Sequence, residues 1–475
     1  MILLPAMRGK TVAVLGLGLS GRSTCRALQA SGARVWAWDD DAARRAEAAE
    51  AGVALVDLAI CNWTRIDRLV PSPGIPLHYP RPHPLVRRAL DAGVEIAGDI
   101  ELLVESRPRQ RIVGITGTNG KSTTTALTGT LLQRAGLGAQ VGGNIGLPVL
   151  DLLPKPGEDI YVLELSSYQL ELTEHLSCNV AVILNVSPDH LDRYGGMSGY
   201  VRAKHRILRN QKASDWAVIG VDDEHGEALC QQLTAAGRRR VLPIGVGRSL
   251  TRGVYVVDGR LHDTLGLPEG PDASSAAPVA DLSAITGLRG VHNWQNAAAA
   301  YAAVRALGVD ARTAAAGLRR FQGLAHRLEL VATKDGVQFV NDSKATNPEA
   351  AARALASFER IHWIAGGRPK EGGLDPVLPW LDRVRHAYLI GEAATDFEHR
   401  LAPRLPCTRS GDLASAVAQA AAAARAEGDG AVVLLAPACA SFDQFRNFEA
   451  RGDAFRALVG GIVQPALAAA GESGR

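Results

Sequence analysis

No pair of the six cysteines is spaced as C-x-x-C, and most lie within apolar runs. That pattern argues against a zinc knuckle or a disulfide scaffold and predicts reduced, buried thiols in a reducing compartment. No apolar run reaches the roughly 18 residues needed to span a bilayer. The opening MILLPAMRGK has neither a long apolar core nor a cleavage site, so a signal peptide is not expected. A one-sided charge is missing too. Lys and Arg number 52 against 49 Asp and Glu, and +3 is too close to neutral to suggest a nucleic-acid or membrane surface. The one basic run, RRR at 238–240, reads as a solvated loop. With 47% hydrophobic and 21% charged residues, a soluble, well-packed cytoplasmic protein is expected, and 475 residues suit two to four domains.

What is present is an alternation of apolar strands and helices. TVAVLGLG, SGRSTCRALQASG and RVWAWDD read as β–α–β with a parallel pair. The Pro-rich PSPGIPLHYPRPHP at 71–84 reads as a rigid loop. A second unit opens at RIVGITGTNGKSTTT and continues through IYVLELSSY and VAVILNVSPDH. Short strands over 241–290 suggest an antiparallel flap on its sheet. A third unit opens near GLAHRLELV. The expected architecture is α/β in three domains: 1–99 Rossmann-like, 100–323 a P-loop-type ATPase sheet with the small flap, and 324–475 Rossmann-like.

Two glycine turns stand out. Gly16-x-Gly18-x-x-Gly21 follows a strand and opens a helix, and Asp39 closes the next strand eighteen residues on. The glycines allow a tight turn, the helix N-terminus meets phosphate and the acid meets a ribose. The pattern does not separate a nicotinamide nucleotide from a nucleotide-sugar, because both carry a pyrophosphate. The second turn, Gly114–Thr125, departs from the usual P-loop spacing, since Ile115 stands where the first glycine is expected. Its physics still works. Backbone N–H groups of Gly117, Thr118, Asn119 and Gly120 wrap phosphates, Lys121 meets β/γ oxygens, and Ser122 or Thr123 can ligate Mg²⁺. This turn is the predicted ATP site.

Ligands sit at the carboxyl ends of strands in such sheets. Glu164 closes one strand, and Asp189 and His190 follow another. A carboxylate there suits Mg²⁺. In SGYVRAKHRILRNQK the helical period places Tyr200, Ala203, Lys204, Ile207 and Leu208 on one apolar face. Lys204 is then either a snorkelling lysine or a buried, neutral amine able to take up CO₂ as a carbamate ligand for a cation.

GTNGKST, GNIGLP, LELSSYQLE, NVSPDHLDRY, AKHRI, HNWQNA, AHRLE, NDSKATN and PACASFDQFRNFEARG, in this order, resemble the Mur ligases along nearly the whole chain. The resemblance implies an enzyme with three domains that uses ATP and two Mg²⁺ ions to form an amide bond in peptidoglycan synthesis. It implies that the first glycine turn grips a nucleotide-sugar that leaves intact. Leu19 and Ser20 would meet its pyrophosphate, and Asp39 and Asp40 its uridine. Ser72 and Gly74 would close over it, Asn144 would contact the sugar or its linkage, and Ser166 would also bind this substrate.

Glu164, His190 and Lys204 match the family's metal site, Lys204 at the carbamylated position. Asn293 and Asn296 match adenine contacts, and Arg327 and Asp342 match ATP contacts. Lys344, Thr346, Lys370, Ser441 and Phe448 fall where the amino acid sits, with Lys121, Lys344, His190 and Lys204 as the catalytic set. GGRPK at 366–370 departs from the family's usual GGDGK. A DNPR string is absent, and NDSKATN stands in place of an HHPTE-like stretch. This favours the step that joins D-glutamate to UDP-N-acetylmuramoyl-L-alanine, in a monomer with no nucleic-acid or membrane partner. Alternatives are a ligase for another amino acid, L-glutamate included, and, resting on GLGLSG alone, a nicotinamide dehydrogenase. A nucleotide-binding switch without amide product is a third.

Overall fold

A computed structural model describes residues 1–144, 146–153, 160–265, 277–288, 290–321, 323–369 and 373–463. Three sheets organise them, as the α/β expectation requires. The first contains β1 (Thr11–Leu15), β2 (Arg34–Trp38), β3 (Arg68–Pro71) and β4 (Glu95–Ile96), in the order β2-β1-β3-β4 and parallel throughout. All five residues of β1 are buried, which explains an apolar run without alternation: a parallel strand is covered on both faces.

The second sheet has nine strands: β5 (Arg111–Thr116), β6 (Ala139–Gly143), β7 (Ile160–Glu164), β8 (Val180–Ile183), β9 (Trp216–Gly220), β10 (Arg240–Val246), β11 (Val254–Val257), β12 (Arg260–Asp263) and β13 (Pro278–Asp281). Their order is β13-β12-β11-β10-β9-β8-β5-β7-β6. The chain crosses from one side of β5 to the other between β7 and β8, so β5 carries the switch point at which such sheets bind ligands. The expected flap over 241–290 extends this sheet. β10 and β11 join it in parallel, and only β12 is reversed, pairing antiparallel with β11 on one side and β13 on the other. Behind β5, the helix Lys121–Arg134 packs on the helix Val291–Ala306, whose Ala297–Ala300 are fully buried; their small side chains permit a close approach.

The first two sheets form one compact unit, residues 1–282 with 291–320. They are tied by Ile2 N–H to the Leu150 carbonyl (2.8 Å), by Arg26 to Asp151, and by Gly98 N–H to the Leu172 carbonyl (3.1 Å). The second unit holds the described residues from Phe321 onward together with those of Ser283–Gly290. Its sheet has β14 (Glu329–Lys334), β15 (Val337–Asn341), β16 (Ile361–Gly366), β17 (Val384–Ile390), β18 (Cys407–Gly411) and β19 (Val432–Leu435), ordered β14-β15-β19-β16-β17-β18. Only the β14–β15 hairpin is antiparallel.

All six cysteines are free, with Cys25, Cys178 and Cys439 buried, and no described helix is long and apolar enough to cross a membrane. In the second unit Trp363 is fully buried and donates its indole N–H to the Ala436 carbonyl (2.8 Å). Trp363→Ala should cost that unit about 3–5 kcal/mol, read as a lower urea midpoint. An unchanged midpoint would show that the β16 side chain is not part of its core.

Candidate functional site

The glycine turn after β5 is braced from three directions. Asn185, just past β8, receives the Asn119 N–H on its Oδ1 (2.9 Å), and its backbone carbonyl accepts the Thr118 N–H (3.0 Å). Thr118 Oγ1 lies 3.1 Å from the Ser187 carbonyl and 3.2 Å from the Tyr200 hydroxyl. From below comes Asn296. Gly120 is left-handed (φ 83°), and a Cβ there would stand 2.0 Å from Asn296 Oδ1. Only glycine fits, on both counts. Lys121 then opens the helix, and its Nζ donates to the Gly117 and Thr118 carbonyls, 2.9 Å each.

Lys204 is 1% exposed on the helix Met197–His205, whose Tyr200 and Ala203 are buried, as are Ile207 and Leu208 just beyond, in agreement with the apolar face read from spacing. The ammonium does not snorkel to solvent. It donates to the Gly117 carbonyl at 2.8 Å and lies over the Tyr200 ring. Burial, then the charge of Lys121, lower its pKa from 10.5 to about 7.

Glu164 ends β7, one strand from the glycine turn, and is 2% exposed. Its Oε1 accepts from Asn144 Nδ2 (3.0 Å), while its buried Oε2 has no hydrogen-bond partner among the described residues. A buried carboxylate oxygen left open is expensive, and a cation is the natural partner for it. His190 is half-exposed with left-handed backbone (φ 52°), 3.5 Å from Asp189 and against the Tyr168 ring. Ser122 and the buried Thr123 begin the helix beneath. Asn293 and Asn296 are both buried, Asn296 donating to Asn293 (3.1 Å) and accepting from Thr124 (3.3 Å), so the pair underpins the turn.

At the first glycine turn, Gly21 faces the Gly16 carbonyl so closely that a Cβ would stand 1.8 Å from its oxygen. Ser72 donates to that same carbonyl (2.9 Å). Asp39 is buried, and its two oxygens accept the N–H groups of Leu17 (2.6 Å) and Asp41 (2.9 Å), so here it holds the turn's shape. Asp40 is exposed and pairs with His83. Leu19 is exposed at the helix start, and a Cβ on Gly74 would meet no described atom within 4 Å. Ser20 opposes the burial that raises the pKa of Asp99, and Ser166 caps the helix Ser167–Glu171.

In the second unit, His326 (φ 60°) and Leu328 (φ 42°) flank Arg327 with left-handed backbone, the kind of strain that gathers at functional loops. Burial raises the Asp342 pKa to about 6 against the pull of Arg327. Lys344 lies over the Phe448 ring, and Thr346 N–H donates to the Lys344 carbonyl (2.7 Å). Ser441 is buried. Lys370 lies outside the described residues. In the departing GGRPK loop, Arg368 exchanges backbone hydrogen bonds with Ala440 (2.9 and 3.0 Å) and turns its side chain to Glu392. Sequence reasoning did not single out Asn185, although NVSPDH contains it, nor Arg193 and Arg451, two buried arginines.

A P-loop at the switch point of a parallel sheet, with a buried carboxylate on the adjoining strand, defines a class of α/β proteins equipped to hold a nucleoside triphosphate. Residues 115–304 match the Mur ligase middle domain, and 326–439 match the Mur ligase, glutamate ligase domain. The chain belongs to the Mur ligase family. It is 52% identical to the UDP-N-acetylmuramoylalanine–D-glutamate ligase of Caulobacter vibrioides, over 98% of both chains. With the ligase of that name from Rhodospirillum rubrum it shares 49% identity, over 97% of this chain and 96% of the relative. Its fold is that of the UDP-N-acetylmuramate–alanine ligase of Thermotoga maritima (17% identical, TM-score 0.59, 95% and 99% of the two chains).

Gly120→Ala should abolish measurable ATP binding in calorimetric titration while circular dichroism keeps the α/β signature. Wild-type affinity in that variant would remove the turn from the triphosphate site.

Proposed function

We propose that this chain joins D-glutamate to UDP-N-acetylmuramoyl-L-alanine, with conversion of ATP to ADP and phosphate, in peptidoglycan precursor synthesis. The observation that carries the reading is the braced Gly117–Lys121 turn beside the open oxygen of Glu164, in a chain about half identical to ligases of that name over nearly their full length. Residues 1–99 hold the nucleotide-sugar, 100–323 hold ATP, and 324–475 bring the amino acid. The chain acts in the cytoplasm as a monomer.

The chemistry follows from the weakness of a carboxylate as an electrophile. The alanyl carboxylate attacks the γ-phosphorus of ATP, which releases ADP and leaves an acyl phosphate. The glutamate amine, as the free base, attacks the acyl carbon, and the tetrahedral adduct expels phosphate. Lys121 and Lys344 screen the converging anions, with Arg327 and Asp342 on the nucleotide. Thr346, Ser441, Phe448 and Lys370 select the amino acid.

Glu164, His190 and the Ser122 or Thr123 hydroxyl would hold two Mg²⁺, with Lys204 as its carbamate. The Glu164 oxygen without a partner suits that role. Magnesium, when bound, neutralises charge on the phosphate oxygens. Carbamate formation joins the Lys204 nitrogen to CO₂ and releases one proton, so it needs the neutral amine. With its pKa near 7, the amine is largely neutral above that pH and protonated below it.

Product formation with each glutamate enantiomer in turn tests the reading. D-Glutamate should release phosphate and yield a new amide by mass spectrometry; no amide from either would end it. Lys204→Ala should lower kcat at least about 100-fold and leave ATP affinity within about two-fold. With ¹³C-bicarbonate, the wild type should show a carbamate resonance that fades as pH falls through 7 and is missing from the variant. Its absence at pH 8 in the wild type would remove the carbamate.

A further inference from the structure

Arg451 is 1% exposed and lies in the first turn of the helix Phe448–Val463. A buried guanidinium is normally matched by a carboxylate. Among the described residues none lies within ion-pair distance of it. Its donors go to oxygen atoms of two loops. Nε donates to Ser343 Oγ (3.0 Å), and Nη2 to the carbonyls of Ser343 (3.0 Å) and Cys439 (3.1 Å). Nη1 reaches the Ala440 carbonyl (3.4 Å). Ser343 Oγ in turn donates to the Phe448 carbonyl (2.8 Å), closing the ring back to the helix that carries Arg451. A third loop is drawn in through Ala440, which exchanges backbone bonds with Arg368.

These are the loops on which the proposed amino-acid contacts stand: Lys344 follows Ser343, Ser441 follows Ala440, and Phe448 begins the helix. One planar fork therefore sets the spacing of all three, a task that suits the rigid geometry of guanidinium better than a lysine ammonium. Charge matters as well. Carbonyls satisfy the donors without cancelling the cation. Asp443, an acid that acts on it without pairing, has its Oδ2 turned to the Glu392 N–H (3.1 Å). The N-terminal end of a 16-residue helix adds to the same positive field.

We infer that Arg451 is the positioning residue of the glutamate site. It fixes the Ser343–Lys344 and Cys439–Ser441 loops at one spacing and supplies an uncancelled positive charge for the anionic amino acid. This rests on the ligase reading above and names the specificity device within it.

The test is steady-state kinetics on the full chain with each substrate varied. Arg451→Lys keeps the charge and loses the fork, and Ser343→Ala removes the hydroxyl that accepts from Nε and donates to the Phe448 carbonyl. Arg451→Lys should raise KM for D-glutamate about ten-fold or more, and Ser343→Ala a few-fold, the scale of lost charged hydrogen bonds. KM for ATP and for the nucleotide-sugar should stay within about two-fold of wild type. A general loss of packing would move all three constants together with the melting temperature, and that outcome in both variants overturns the proposal. So does an unchanged glutamate KM in both, provided Lys344→Ala raises it, since the ligase reading then stands without Arg451. Wild-type enzyme that uses no glutamate fails at the earlier step and takes this inference with it.

Discussion

Two ammonium groups converge on one backbone oxygen. Lys121 and Lys204 both donate to the Gly117 carbonyl, at 2.9 and 2.8 Å, and most of the central site follows from that arrangement. Like charges so placed, with one of them buried, cannot both be held cheaply. The structure resolves the conflict on Lys204, whose pKa falls from 10.5 to about 7. That displacement corresponds to roughly 5 kcal/mol against the charged form. Because the folded pKa lies below the unfolded one, folding gains stability as pH rises from about 7 toward 10.5 and loses it on acidification. The mobile proton thus sits on the residue whose chemistry changes most when it leaves. Lys121, at the start of the helix, is the cation proposed to meet phosphate.

The sheet supplies the distances. Parallel register sets Ile115 opposite Glu164 and Thr116 opposite Ile183, so the ends of β5, β7 and β8 stop at one level. Whatever follows those residues must share a small space: the glycine turn after β5, the carboxylate at the end of β7, and Asn185 after β8. None of these needs a long loop to reach the others. The site's precision is therefore inherited from backbone hydrogen bonds, and side chains such as Asn185 only lock the final turn.

That division explains what could be read from the residues alone. Strands buried on both faces announce themselves as apolar runs, and the helical period put Lys204 among Tyr200, Ala203, Ile207 and Leu208, all of them buried. Spacing gives a face, however, and not what the face touches, so neither the Gly117 carbonyl nor the proximity of Lys121 could be foreseen. Asp39 shows the converse. Its position after β2 fits a ribose contact, yet both its oxygens are engaged with N–H groups of the turns it joins. Such local capping leaves no periodic trace. Between β10 and β13, short strands rich in turn residues suggested a flap, because pairing direction depends on where the chain re-enters the sheet. Arg451 was legible in principle. It lies three residues after Phe448 and four before Phe455, on the buried side of its helix, where an arginine is out of place unless something claims its donors.

Backbone carbonyls recur as the partners of buried cations in both units, and the choice has a physical consequence. A carboxylate would satisfy a guanidinium or ammonium and erase its field. A carbonyl satisfies the donors and leaves the charge. Arg193 illustrates the mixed case: it donates to the Ile75 and Tyr79 carbonyls (2.8 and 3.2 Å) while Glu171 stands at 3.5 Å. It ties down the loop that follows β3. Lys121 and Arg451 have carbonyl partners at bonding distance, and each sits among loops proposed to receive an anion, a triphosphate in one unit and an amino dicarboxylate in the other. Cations held this way cost stability in the empty protein, because their desolvation is repaid only in part. The remainder is recovered when an anion arrives, so the same contacts that shape the loops also bias them toward negatively charged substrates.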